Sequence, residues 1–155
     1  MKTKYPMDRK IKSAVIVKLT QFRAYEELVK KLEMDIIEQT PNHDGNGSQK
    51  TNNAKSVVEN IAEKLEGNEE LNFYREQVDR IKRAYEKFGE AEKDYERRKE
   101  KLDIARLIFD EGRTQIYLEI NPPYYLGKDR YYAIKDELIY YAAVEFNLIL
   151  RRGKK

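Results

Sequence analysis

Between residues 71 and 88 the apolar side chains fall at Leu71, Tyr74, Val78, Ile81, Tyr85 and Phe88, alternating steps of three and four. That spacing stays on one side of an α-helix, whereas in a strand it would scatter to both faces. A seam sustained over nearly three heptads also requires a second helix to cover it. The stretch from Ile11 to Ile37 supplies a candidate. Ile11, Val15, Phe22, Tyr25, Val29, Leu32 and Ile36 keep helical spacing, with Lys18 at one expected apolar position. The same seam would serve a dimer, but the matching stripe within the chain makes intramolecular packing the simpler expectation.

The remaining segments agree with an all-α chain. Pro41 disfavours helix in the residue before it and ends the first segment. Residues 42–53 then carry no apolar side chain, so 41–55 reads as a loop. Asp44, Asn46 and Ser48 alternate there like calcium ligands. The loop lacks the glycine and closing glutamate of such a site, with Lys55 in the latter's place. Ser56 and Glu59 form a capping box for a short helix that Gly67 ends, and Asn68 suits the start of the next. After Phe88 the seam register fails, and a kink or a new helix is expected near Gly89. A short helix over 114–120 and a longer one over 128–150 complete the chain, separated by Asn121-Pro122-Pro123. No segment shows strand-like alternation. The expected architecture is a long helical hairpin or bundle over 1–111, followed by a helix-turn-helix over 112–155.

Chemistry is narrowly bounded. The 155 residues include no cysteine and one histidine, His43, in the apolar-free loop. That excludes thiolate metal sites, disulfides and cysteine nucleophiles, and leaves a nucleophile no well-placed base. No glycine-rich phosphate loop occurs. The expectation is therefore a protein without catalysis, cofactor or metal. No apolar run approaches a membrane span, and Ala14–Val17 is too short for a secretory core, so an intracellular chain without membrane contact is expected. Hydrophobic residues make up 40% and charged residues 38%, so any core is thin relative to its surface.

The net charge of +3 conceals unlike parts. Residues 1–23 carry seven cations and one anion, 24–90 ten and fifteen, and 91–155 fourteen and twelve. Basic ends flank an acidic middle, and such ends can neutralise phosphates. Seven of the 12 tyrosines lie between Tyr117 and Tyr141. A short helix, a turn and a longer helix is the order of a helix-turn-helix, whose second helix meets base edges through its N-terminal end. Here Lys128, Arg130 and Lys135 reach phosphates or guanine edges, and Tyr125 and Tyr132 can bond phosphates or pack on sugars. Arg151 and Arg152 add a basic terminus. Tyr117, Tyr131 and Tyr141 are expected in the core; Tyr124, Tyr125 and Tyr132 fit core or surface equally.

The run Tyr131-Tyr132-Ala133-Ile134-Lys135-Asp136-Glu137-Leu138-Ile139, followed by Ala142-Ala143-Val144-Glu145-Phe146-Asn147-Leu148-Ile149, resembles the closing pattern of the RinA/ArpU-like phage transcriptional regulators. In that family the last helix resembles the recognition helix of sigma-factor region 4. The resemblance implies a phage- or prophage-encoded activator of late genes in the cytoplasm of a bacterial host. It implies double-stranded DNA as partner, with Lys128, Arg130, Tyr132 and Lys135 facing it, and host RNA polymerase and a second copy as further partners. The family's usual short turn is replaced here by Asn121-Pro122-Pro123, and its capping Ser or Thr by Gly127. Two other functions fit the same pattern of helices: a helical adaptor with buried C-terminal tyrosines, and a small terminase-type packaging protein.

Overall fold

A computed structural model describes residues 4–39 and 56–150. The described residues are helical throughout, with no strand. They form α1 (Arg9–Thr20), α2 (Phe22–Gln39), α3 (Val57–Gly67), α4 (Glu69–Glu90), α5 (Tyr95–Phe109), α6 (Gln115–Ile120) and α7 (Lys128–Glu145). The loop at 41–55, with His43 and the calcium-like Asp44, Asn46 and Ser48, lies outside the described residues.

Most helix boundaries follow local chemistry. Ser56 Oγ accepts from the Glu59 amide at 3.0 Å, and Asn68 Oδ1 accepts from the Leu71 amide at 2.8 Å, as expected of caps. Asp94 caps α5 by accepting from the Glu96 and Arg97 amides. Thr114 caps α6 through the Tyr117 amide. Gly112 takes a left-handed φ of 65° past α5, and the Arg113 amide reaches back to the Leu107 carbonyl, the pattern of a helix closed by glycine.

Two boundaries correct the expectations. The first segment is two helices, broken at Gln21. The Val17 carbonyl accepts both the Thr20 hydroxyl at 2.9 Å and the Gln21 amide at 3.1 Å, the last ladder bond of α1. Val15 and Leu19 are fully buried, so the inward face of α1 passes through Leu19 and skips Lys18. The last helix stops at Glu145 instead of Leu150. Asn147 adopts a left-handed φ of 59°, and the Leu148 amide returns to the Ala143 carbonyl. The break expected near Gly89 does occur, between Glu90 and Tyr95. Gly89 is buried, and a Cβ there would meet the Leu102 side chain at an ordinary contact distance of 3.4 Å.

The chain divides into two compact units. One comprises residues 1–23 and 79–155, and the other residues 24–78. The boundary expected at 111/112 falls inside the first unit, where α7 packs against α1, α5 and α6. Helix α7 buries Tyr131, Ile134, Leu138, Ile139, Tyr140, Ala142 and Ala143, residues that circle its axis. Ile81, Ala84, Tyr85 and Phe88 of the α4 seam are buried within the same unit's chain. From Ile81 to Phe88 the seam is therefore covered from within the chain.

Charged side chains tie the first unit's helices at their ends. Lys101 of α5 pairs with Glu137 of α7, both largely buried, and also donates to the Phe88 carbonyl at 2.9 Å. It thus closes the end of α4 while lying 4.2 Å from the Phe88 ring centroid. At the other end of α7, Glu145 sits against the negative pole of its own helix. Arg83 and Lys87 of α4 pair with its carboxylate, and Arg80 donates to its carbonyl at 2.6 Å. Burial alone would raise the Glu145 pKa. The hydrogen bonds and charges of Lys87 and Arg83 overcome that effect and hold it below the ordinary value of 4.5.

Lys101→Met strands a buried carboxylate and should cost about 3 kcal/mol in denaturant unfolding, whereas Lys101→Met with Glu137→Leu should recover most of it. Because the folded pKa of Glu145 is depressed, its stabilisation is complete above pH 4.5 and fades as pH falls through the folded value. Glu145→Gln should therefore lower stability by about 1.5–3 kcal/mol at neutral pH and flatten the acid side of the stability curve.

Candidate nucleic-acid interface

The N-terminal half of α7 carries most of the expected contact residues, and the fold sorts them. At steps of three and four the inward positions are apolar: Tyr131, Ile134 and Leu138 are buried. That leaves Lys128, Asp129, Tyr132 and Ala133 outward. Tyr132 is 43% exposed and rests edge-on against Tyr131, with ring centroids 5.0 Å apart. Its ring is braced by a core tyrosine while its hydroxyl end faces solvent.

Arg130 is placed differently. Its guanidinium donates to Glu100 Oε1 of α5 at 2.8 Å. An arginine already held by a carboxylate is a tie between α5 and α7 before it is a phosphate ligand. Lys135 is half-buried, with its Nζ 5.7 Å from the Tyr131 ring centroid. Its pKa is lowered by desolvation and by the Lys12 charge, against the opposing pull of Asp136.

Lys12 brings in an element that motif analysis had not assigned to the site. Helix α1 packs along α7, with Lys12 Nζ 2.9 Å from Asp136 Oδ1 and Lys18 Nζ 4.6 Å from the Phe146 ring centroid. The two helices therefore run in the same direction. Arg9, one turn before Lys12 on the same helix, is exposed. Tyr5 stacks on Tyr140 at 4.5 Å and holds the approach to α1 against α7. The sequence signal for this site was the charge of residues 1–23, which periodicity could not attach to any partner helix.

The connector between α6 and α7 holds the remaining tyrosines. The Tyr124 hydroxyl donates to Asp103 of α5. Desolvation, with the hydrogen bond and charge of Asp103, raises its pKa to about 12. Tyr125 has a φ of 45° and is 62% exposed. Tyr117, expected in the core, is instead exposed, with the Arg113 guanidinium 4.4 Å from its ring centroid. The connector spans residues 121–127, longer than the three- to four-residue turn of a helix-turn-helix. Arg151 and Arg152 lie outside the described residues.

Among the described residues no cluster of His, Asp or Glu is arranged to hold a metal ion, and no helix is long and apolar enough to cross a membrane. Comparison with protein families, curated proteins and solved structures finds no match to this chain.

Lys135 is a cation held where its charge is disfavoured. Lys135→Met should leave the melting temperature unchanged or raise it. A clear fall in melting temperature would show that the ammonium is a structural partner.

Proposed function

We propose that the protein is a phage- or prophage-encoded transcription regulator that docks double-stranded DNA against the α1–α7 face. The observation that carries this reading is the charge difference between the two units. Among the described residues, 4–23 and 79–150 bear 20 Lys+Arg against 16 Asp+Glu, a net +4, while 24–39 and 56–78 bear four against eleven, a net −7; Arg151, Arg152, Lys154 and Lys155 add further cations in the sequence beyond residue 150. Within the basic unit α1 lies along α7, and Lys12, itself paired with Asp136, adds its charge to the desolvation that disfavours the Lys135 ammonium. A phosphate backbone would relieve that repulsion and release counterions.

Lys128 and Tyr132 lead the face, with Lys135 behind them and Lys12 beside Lys135. Phosphate contacts from α1 would orient the protein, and the first turns of α7 would meet base edges. The resemblance to late-gene activators supplies the regulatory role. A helical adaptor is the competing reading, and it draws on the exposed Ile116, Ile120 and Tyr125 around α6.

Fluorescence anisotropy with a mixed-sequence duplex separates the two. DNA affinity should drop about a thousandfold between 50 and 200 mM salt if roughly six phosphates are engaged. Arg9→Glu with Lys128→Glu should abolish binding and leave the circular dichroism spectrum unchanged, since both side chains are exposed. No binding of any duplex at low salt would leave the adaptor standing.

A further inference from the structure

Several charged side chains in the first turns of α7 are already engaged within the protein. Arg130 donates to Glu100, Asp136 pairs with Lys12, and Lys135 is half-buried beside the Tyr131 ring. Lys128, Asp129, Tyr132 and Ala133 remain exposed. At about 100° per residue these four share one arc of the helix, opposite the buried Tyr131, Ile134 and Leu138.

Asp129 is the one anion on that exposed arc, and among the described residues its carboxylate has no hydrogen-bond or ion-pair partner. An acid in a first turn suits the helix dipole. On a face that meets a polyanion, however, it weakens every nearby phosphate contact, and only a base edge can return that loss. An ionised carboxylate accepts hydrogen bonds and cannot donate. In the major groove guanine shows it two acceptors and thymine one, while adenine sets its N7 acceptor beside the N6 amino group. Cytosine alone offers a donor, N4, without an adjoining acceptor. Ala133, one turn further on the same arc, presents only a methyl group, which suits the C5-methyl of thymine. One helical turn of about 5.4 Å spans between one and two base-pair steps of about 3.4 Å.

We infer that Asp129 is a base-reading residue, accepting from the N4 amino group of a cytosine while Ala133 packs on the methyl of a thymine one or two base pairs away. Lys128, its neighbour in the chain, offsets the repulsion between the carboxylate and the phosphates. The inference rests on the DNA-binding reading above and adds to it the base preference of that site.

The test begins with the full-length protein and selection from a duplex library with randomised central positions. Fluorescence anisotropy at low salt then compares the selected duplex with its single-base variants. Replacing the selected cytosine by any other base should weaken binding about tenfold, and replacing the thymine by deoxyuridine about threefold. Asp129→Asn should move the preference at the first position from cytosine to adenine, whose N6 and N7 match an amide. Asp129→Ala should flatten the preference there and leave the other positions unchanged. Equal strengthening of every duplex by both variants would reduce Asp129 to a surface charge and overturn the inference, with the DNA-binding reading intact. So would an unaltered base preference with a lowered melting temperature, the mark of a residue that only supports the helix start. Failure to bind any duplex would overturn the DNA-binding reading itself and this inference with it.

Discussion

Helix α7 is enclosed on most of its circumference, and the first compact unit depends on that enclosure. Its inward residues do not form one stripe: Tyr131, Ile134 and Leu138 face one way, while Ile139, Tyr140, Ala142 and Ala143 extend the buried surface around the axis. Helices α1, α5 and α6 cover those sides. Burying this much of a helix removes water from its flanking charges, so each needs a partner. Glu137 finds Lys101, Asp136 finds Lys12, and Glu145 finds Arg83 and Lys87. These pairs fix how the helices meet, since an unmatched buried carboxylate would cost more than the pair contributes.

The same enclosure decides which cations remain available to a partner. Arg130 and Lys135 read alike in the sequence, as basic residues near a helix start. The fold gives Arg130 to Glu100 and places Lys135 half-buried beside Lys12. Lys128 and Arg9, by contrast, stay exposed. The charge pattern also changes character on folding. Along the chain it runs basic, acidic, mildly basic; divided between the two units, the described residues carry net +4 and net −7. The modest overall +3 is a sum over unlike parts.

The helices themselves were largely legible. Caps at Ser56 and Asn68, the glycine closure at Gly112 and the break after Gly89 are local events, set by a few side chains and the backbone beside them. Errors arose at two helix ends. The chain breaks at Gln21 in the middle of what periodicity joins. Asn147 took a left-handed conformation three residues before the expected helix end at Leu150. Of the candidate site, Lys128 and Tyr132 are outward, and the sequence did not place Lys12 beside α7, because no sequence pattern states which helices lie side by side.

What the sequence by itself determined is the all-α class, most helix limits and the separation of charge along the chain. Those follow from spacing, capping and composition, which act over a few residues. The tertiary structure alone decided that α1 packs on α7, that the α4 seam is filled from within the chain, and that a single helix, α4, passes from the acidic unit into the basic one. Those outcomes depend on contacts between residues more than a hundred positions apart, such as Lys12 with Asp136, and no local rule reaches that far.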